Sequence, residues 1–295
     1  MDDLVWLFFS NQTCDLFFLV IGYRLLASIA YEVVKGEIFM KPTALITGAS
    51  GGIGYELARL FAKSGYHLIV VARSEDKLHQ LKEELDGHPI TIIPQDLSEP
   101  GAAEVVYSKV KELGLHVTVL VNNAGFGLNG LFEDLPLLDQ QKMLHVNINA
   151  LTELTHLFLP EIKAARFRSI PKGVLNVAST AAFQPGPKMA VYYASKAYVL
   201  SLSEALVEEM KDTSVTVTTL CPGATDTNFF KTAKAEHTKL VNSTMSPESV
   251  AKSGFLGFVK GKRVVIPGVM NQGLAYASKF IPRSFAAKLA HYVDS

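Results

Sequence analysis

The chain has 295 residues, a length that allows one large domain or two small ones. Hydrophobic residues make up 48% and charged residues 19%, which supplies a core and argues against disorder. The 28 Lys and Arg balance 28 Asp and Glu, and this zero net charge argues against a nucleic-acid partner. Two cysteines, Cys14 and Cys221, exclude a disulfide scaffold, and the scattered His residues predict no metal site.

Residues 1–40 form an apolar, aromatic extension that differs in composition from the rest of the chain. The start Met1-Asp2-Asp3 lacks the basic residues of a secretory signal. Asp15, Arg24 and Glu32 interrupt every window of about 20 apolar residues that a membrane span needs. In the best window, 16–31, the central Arg24 costs roughly 2.5–3.5 kcal/mol, which the neighbouring Leu, Ile and Phe residues can offset.

Three interpretations of this extension stay open. It is a membrane anchor or membrane-associated segment, a helical extension packed on the body or on a partner, or a stretch not normally made because translation starts at Met40. We therefore expect a cytoplasmic protein, with membrane association through residues 1–40 as the alternative.

From Lys41 onward, short apolar runs alternate with longer segments of helical periodicity. Strands are predicted at 43–47, 67–72, 90–93, 117–121, 174–178, 215–220 and 263–266. Helices are predicted at 52–64, 74–85, 101–113, 139–165, 189–210, from Ser246-Pro247-Glu248 onward, and at 272–292. Pro160 is a point where the fourth helix can break. This alternation predicts one α/β domain over 41–295, a doubly wound (Rossmann) seven-stranded parallel sheet with helices on both faces.

A glycine-rich turn joins the first predicted strand to the first helix. Thr47-Gly48-Ala49-Ser50-Gly51-Gly52-Ile53-Gly54 would let the backbone approach a pyrophosphate at the helix N-terminus. The strand before it and the helix after it are the context expected of a dinucleotide site. Its spacing, Gly-x-x-x-Gly-x-Gly, differs from the Gly-x-Gly-x-x-Gly form, and Ile53-Gly54 replaces the Gly-Lys-Ser/Thr of a Walker loop.

The end of the second strand predicts the preferred cofactor. A carboxylate there would hold the ribose 2′-hydroxyl of NAD, whereas an Arg accommodates the 2′-phosphate of NADP. The chain has Arg73 and Ser74 there, and Glu75 and Asp76 come later. Because a guanidinium pairs well with phosphate, these residues favour NADP(H) over NAD.

Tyr192 and Lys196 are four residues apart on the long helix and so share a face. A nearby ammonium favours the phenolate and lowers the pKa of a tyrosine, which suits it to acid–base catalysis. Ser179, Asn122-Asn123-Ala124-Gly125 and Cys221-Pro222-Gly223 each end a predicted strand. The carboxyl ends of parallel strands meet at one crevice, so these groups are expected to converge there.

Together these motifs resemble the short-chain dehydrogenase/reductase family, in its shorter single-domain branch. The resemblance covers 41–227 and includes Thr47-Gly48-x-x-x-Gly52-x-Gly54, Asn122-Asn123-Ala124-Gly125, Ser179, Tyr192-x-x-x-Lys196 and Pro222-Gly223. It departs from the pattern at Gly51, where many NADP-preferring members carry a basic residue. Arg73 is then the main basic contact to the cofactor.

The resemblance implies an NADP(H)-dependent oxidoreductase that interconverts a carbonyl and a secondary alcohol. Tyr192 would be the general acid, and Lys196 would lower its pKa and hold the nicotinamide ribose. Ser179 would hydrogen-bond the substrate oxygen, and Asn147, rather than the nearby Asn149, would anchor a proton-relay water. The implied cofactor-binding residues are Gly48, Ser50, Gly52, Ile53, Gly54, Arg73, Ser74, Asp96, Leu97, Asn123, Ala124, Gly125, Tyr192, Lys196, Pro222, Gly223, Thr225 and Thr227.

The segment 226–246 is expected to close over the substrate, and it contains Phe229, Lys234 and His237. Phe183 and Met189 would complete an apolar pocket with Phe229, or these residues would only pack the lid. The expected partners are a small-molecule carbonyl or alcohol and a second copy of the chain, as a homodimer or homotetramer. A membrane-associated reductase of lipid or steroid carbonyls and a non-catalytic NADP-binding protein are the alternatives.

Overall fold

The computed structural model describes residues 41–167, 170–233, 235, 244–278 and 280–293. The extension 1–40, with its three interpretations, and Lys234 and His237 lie outside the described residues. All seven predicted strands form, each within two residues of its predicted bounds. They are β1 Thr43–Thr47, β2 His67–Ala72, β3 Ile90–Pro94, β4 Val119–Asn122, β5 Gly173–Val177, β6 Thr216–Leu220 and β7 Val264–Val265.

The strands form one parallel sheet in the order β3-β2-β1-β4-β5-β6-β7, which confirms the predicted architecture. Every residue of β1 is buried, as expected for a sheet covered on both faces. Ala44 and Ile46 pack into the core on one face and Leu45 into the core on the other. Because the strand order reverses between β1 and β4, a crevice opens where these two strands end.

The helices cover both faces of the sheet. Phe61 and Phe255 join the first and eighth helices edge to face on one side, with ring centroids 5.0 Å apart. Tyr107 and Phe158 join the third and fifth on the other, at 5.1 Å. The helices are α1 Gly52–Lys63, α2 Glu75–Glu84, α3 Ala102–Glu112, α4 Leu137–Leu144, α5 Leu151–Ala164, α6 Ala190–Glu209, α7 Phe229–Ala233, α8 Pro247–Val259, α9 Val269–Ala277 and α10 Arg283–Val293, with a π-helical segment His145–Ala150 and a 3₁₀ turn Thr180–Phe183.

Two predicted helices differ from the structure. The helix predicted at 139–165 does not break at Pro160, which lies inside α5. Pro160 and His156 are both exposed, so water can satisfy the carbonyl that the proline leaves unpaired. The single helix predicted at 272–292 is wrong, because α9 ends at Ala277 and α10 begins directly after Pro282. Proline lacks the N–H that would continue the helix and disfavours helical geometry at the residue before it.

The segment 226–246 contains the short helix α7, and its described ends are joined where Thr225 pairs with Met245. Among the described residues, no helix has both the length and the apolar character to cross a membrane.

Candidate active site

The glycine-rich turn packs tightly against the residues that follow β4. A Cβ atom on Gly54 would lie 2.4 Å from the carbonyl oxygen of Gly48 and 2.3 Å from Nδ2 of Asn123. Gly48 itself has a φ of 68°, which favours glycine. By contrast, Gly51 is extended and has nothing within 4 Å of a Cβ position, so only part of the turn requires glycine for space.

Asn123 and Thr47 hold the ends of β1 and β4 together. The amide Nδ2 of Asn123 donates to the carbonyl oxygens of Thr47 and Gly48, at 2.9 and 3.2 Å. The hydroxyl of Thr47 accepts the backbone N–H groups of Asn123 and Ala124, each at 3.0 Å. Thr47 was not predicted as a site residue, although the buried hydroxyl at the end of an apolar strand was a signal that could have identified it.

The predicted Tyr192 and Lys196 pair lies on α6 with both side chains largely buried. The Nζ atom of Lys196 lies 5.8 Å from the ring centroid of Tyr192 and donates to the carbonyl oxygen of Val177, at 3.0 Å. Burial lowers the pKa of Lys196 to about 8. The amine therefore stays mainly charged at neutral pH and is fixed to the end of β5.

Ser179 follows β5 by two residues and caps the 3₁₀ turn. Its Oγ accepts the backbone N–H of Ala181 at 3.1 Å and lies 3.4 Å from the carbonyl oxygen of Pro222. Because Lys196 is bonded to Val177 of the same strand, the hydroxyl and the amine are positioned by one strand end. Ser179, Tyr192 and Lys196 all line one cavity.

Asn147 lies in the π-helical segment, a distortion often found at functional sites. Its side chain is 1% exposed, donates to the carbonyl oxygen of Phe126 and to Oγ of Ser195, and accepts the N–H of Phe126, with all three distances between 3.0 and 3.1 Å. The neighbouring Asn149 is exposed. The structure thus distinguishes the two asparagines, and the relay role of Asn147 remains a prediction.

Ser195 is a second polar residue that sequence reasoning missed. Its Oγ donates to the carbonyl oxygen of Tyr192 at 2.7 Å and accepts from Asn147. It therefore links the π-helical segment to the helix that carries the tyrosine. Its place in Tyr192-Tyr193-Ala194-Ser195-Lys196, three residues after the tyrosine, was the available signal.

A cavity of about 760 Å³ runs along the carboxyl ends of the strands, from the end of β2 to α9 and α10. Every predicted cofactor-binding residue except Gly54 lines it. Gly54 and Asn147 lie outside its lining, but each contacts a residue that lines it: Gly54 packs against Gly48, and Asn147 bonds to Phe126. The convergence expected from the strand ends is therefore present in the structure.

Arg73 lies at the β2 end of this cavity, with Ser74 and Lys77 also in the lining. Its side chain is 70% exposed, and Nη1 lies 3.9 Å from Oδ2 of Asp96. The other oxygen of Asp96 accepts the N–H and hydroxyl of Ser98, at 2.9 and 2.8 Å. A long, exposed ion pair holds an arginine weakly, so the guanidinium can turn toward a phosphate at little cost.

The opposite end of the cavity is apolar. Phe183, Met189 and Phe229 all line it, as predicted, and the ring of Phe229 lies 5.2 Å from that of Tyr192. A Cβ atom on Gly127 would lie 2.7 Å from Phe229, so this glycine lets the aromatic wall close in. Among the described lining residues, the charged side chains are Arg73, Lys77, Asp96 and Lys196.

Comparison with known proteins identifies the family. The model of the family described as short chain dehydrogenase matches residues 42–238. This chain is a short-chain dehydrogenase/reductase. The human very-long-chain 3-oxoacyl-CoA reductase is 32% identical to it over 244 residues, which cover 79% of this chain and 75% of the human protein. The 7beta-hydroxysteroid dehydrogenase of Clostridium sardiniense is 32% identical over 255 residues, 85% of this chain and 95% of that protein.

The fold is shared with solved members of the family. A short-chain dehydrogenase from Sphingobium yanoikuyae in complex with NADPH has a TM-score of 0.71 and 28% identity, and the match covers 81% of this chain and 94% of that one. As a short-chain dehydrogenase/reductase, the protein is an NAD(P)-dependent oxidoreductase that interconverts carbonyl and alcohol groups on a small-molecule substrate.

Proposed function

We propose that this protein is an NADP(H)-dependent reductase of apolar ketones or, in reverse, a dehydrogenase of the secondary alcohols. The observation that carries this proposal is one cavity that holds Ser179, Tyr192 and Lys196 in its wall, Arg73 at one end and an apolar wall at the other. The end with Arg73 fits a phosphorylated cofactor, and the apolar end fits a hydrophobic substrate.

The chain's residues divide the proton chemistry among them. The Tyr192 hydroxyl donates a proton to the carbonyl oxygen during reduction and takes it back during oxidation. The charged Lys196, held against Val177, favours the phenolate of Tyr192. The Ser179 hydroxyl donates to the same substrate oxygen and stabilises the negative charge that develops there. When bound, the nicotinamide supplies or accepts the hydride.

The residues of the turn fit a dinucleotide. The first turn of α1 contains no acidic residue, and its N-cap, Gly51, has no side chain to accept the free N–H groups. Those N–H groups are then available to a pyrophosphate. Arg73 and Ser74 would hold the 2′-phosphate, Asp96 and Leu97 the adenine side, and Thr227 the nicotinamide side.

The substrate side supports a neutral, apolar carbonyl compound. Among the described residues that line the cavity near Phe183, Met189 and Phe229, the charged side chain is that of Lys196, which is bonded to Val177. A substrate carboxylate bound there would lose its hydration without a partner, at a cost of several kcal/mol. By their printed names, two of the relatives above act on a hydroxysteroid and on a very-long-chain 3-oxoacyl-CoA, and each of these substrates has a large apolar part.

The substitution Tyr192→Phe tests the proposed chemistry. Removing the hydroxyl should lower kcat for NADPH-dependent ketone reduction about 10²- to 10⁴-fold, because the general acid is lost. The Kd for NADPH, measured by calorimetry, should stay nearly unchanged. Tyr198→Phe is the matched control, since that hydroxyl lies on the same helix but contacts Thr152, at 3.0 Å, outside the cavity lining.

Full activity in the Tyr192→Phe variant would contradict the proposed role. Tight NADPH binding by a wild-type protein that turns over no ketone or alcohol in a broad screen would favour the non-catalytic alternative instead.

The assembly and location of the enzyme form a separate part of the proposal. We expect a cytoplasmic homodimer or homotetramer, and light scattering of the purified chain measures the mass. If residues 1–40 are an anchor, the full chain floats with vesicles of neutral phosphatidylcholine and a chain starting at Met40 does not.

A further inference from the structure

The last two helices expose large apolar side chains. Phe280 and Val269 are 87% and 86% exposed, and Met270 and Phe285 are 76% and 59% exposed. We call this surface the C-terminal face. Its members are Val269, Met270, Leu274, Phe280, Phe285 and Leu289. A cluster of exposed apolar side chains of this size marks an interaction surface.

On α10 the large apolar side chains face solvent and small ones face the core, which is the reverse of an ordinary surface helix. Its buried positions include the small residues Ala286 and Ala290, whereas Phe285 and Leu289, four residues apart, face solvent. A helix that serves only the core of its own domain turns its large apolar side chains inward. The solvent side of α10 is therefore shaped to bind something outside the described domain.

The C-terminal face also borders the opening of the cavity. Met270, Leu274 and Leu289 are 44–76% exposed and at the same time line the cavity. The apolar surface is thus continuous from the outside of α9 and α10 to the wall near Phe183 and Met189. Whatever covers this face also covers the entrance for an apolar substrate.

Charge indicates the chemistry of the partner. Between Pro267 and Asp294, the stretch that contains α9 and α10, the sequence has three Lys and Arg residues and no Asp or Glu, although the whole chain is neutral. Arg283 and Lys288 are exposed on α10 itself, and Lys288 directly precedes Leu289. A helix with solvent-facing Phe and Leu flanked by Lys and Arg suits the interface of an anionic lipid bilayer.

We infer that the C-terminal face docks on an anionic lipid bilayer, with Phe280, Phe285 and Leu289 in the interfacial layer and Arg283 and Lys288 at the lipid phosphates. The docked orientation opens the cavity toward the lipid, so that an apolar substrate enters without crossing water. Docking depends on α9 and α10 alone, whereas the delivery of a ketone rests on the proposed function.

Sedimentation of the full chain with vesicles tests the docking. We expect binding to phosphatidylcholine–phosphatidylglycerol vesicles, none to phosphatidylcholine alone, and weaker binding at higher salt. Phe285→Asp should weaken binding at least tenfold, because it removes apolar area from the interface and adds an acidic charge. Lys288→Glu should weaken it at least fivefold, since one basic side chain near the lipid phosphates is worth about that factor.

Matched controls come from exposed residues outside the C-terminal face. Phe132 is 65% exposed and Lys109 lies on α3, and neither lines the cavity. Phe132→Asp and Lys109→Glu should leave vesicle binding unchanged. The docking inference is overturned if no vesicle binds, or if all variants bind equally well, since the extension 1–40 or another surface would then carry the binding.

A fall in solution mass on Phe285→Asp, measured without vesicles, would also overturn the inference, because the face would then bind a second copy. Turnover of a water-soluble ketone separates the two proposals. It should be unchanged in Phe285→Asp. If Tyr192→Phe keeps its activity while the vesicle results hold, the proposed reaction fails and the docking stands.

Discussion

Arg73 shows how a weak interaction in the free protein leaves a residue available for a ligand. Its distance of 3.9 Å from Asp96 and its 70% exposure describe a loose ion pair that contributes little to stability. A doubly charged phosphate offers the guanidinium a stronger, bidentate partner. Arg73 is therefore the residue on which discrimination between NADPH and NADH should depend, since Gly51 supplies no basic side chain.

The substitution Arg73→Ala should raise the Kd for NADPH about 10- to 100-fold, because hydrogen bonds to a charged group are lost. The Kd for NADH should change less than about twofold, since NADH lacks the 2′-phosphate. Calorimetric titration with each nucleotide measures both. Arg263→Ala serves as control. Nη1 of Arg263 lies 2.6 Å from Oε1 of Glu208, and neither residue lines the cavity. Equal losses for both nucleotides would contradict the assignment.

At the scale of an element, the glycine-rich turn between β1 and α1 packs so closely at Gly54 that there is no room for a side chain. Gly54→Ala would gain about 0.5–1 kcal/mol of helix propensity. The new methyl group would meet the Gly48 carbonyl oxygen at 2.4 Å, and this backbone atom cannot move without shifting the turn. The clash costs about 1–3 kcal/mol and so exceeds the gain in propensity.

We therefore expect Gly54→Ala to lower the free energy of unfolding, measured in urea, and to weaken NADPH binding at least tenfold. Gly51→Ala is the matched control within the same turn, because Gly51 is extended and its Cβ position is open. Gly51→Ala should change the free energy of unfolding by less than about 0.5 kcal/mol. A Gly54→Ala variant as stable as Gly51→Ala would show that the turn relaxes freely.

The elements could be predicted from the sequence where local chemistry alone determines them. The buried strands were found because an apolar run between turns has one stable place in a parallel sheet. The break at Pro282 has an equally local cause, but the helical periodicity across it obscured the signal. The π-helical segment was not predictable, because it depends on the bonds of Asn147 to Phe126 and Ser195, which are distant in sequence.

At the scale of the whole molecule, the candidate site follows from topology once the strand order is known. Ser179, Tyr192 and Arg73 come from three elements, and only the parallel sheet brings them to one cavity. The sequence motifs indicated these residues individually. The exposed face of α9 and α10 was not predicted, because an apolar helix pattern does not reveal which of its sides the core leaves uncovered.

The buried Lys196 should also make the stability of the whole molecule depend on pH. Burial lowers the pKa of Lys196 from 10.5 in the unfolded chain to about 8. Below that value both states hold the proton, so the cost of burying the charge is complete. Between the two values the unfolded chain binds a proton that the folded protein has released, and the contribution of Lys196 to stability improves as pH rises. The neighbouring thiol does not interfere, since burial raises the pKa of Cys221 to about 12.

The substitution Lys196→Met keeps the buried stem and removes the charge. At pH 7 the variant should be more stable than the wild type by about 1–3 kcal/mol, the relief of desolvation less the lost bond to Val177. That advantage should begin to shrink near pH 8 and keep shrinking toward pH 10.5. Urea unfolding of both proteins at several pH values measures the difference, and Lys109→Met, at an exposed site, should give a difference that is flat with pH. If the stability advantage of Lys196→Met stays constant with pH, burial does not lower the pKa of the amine, and the argument from desolvation is wrong.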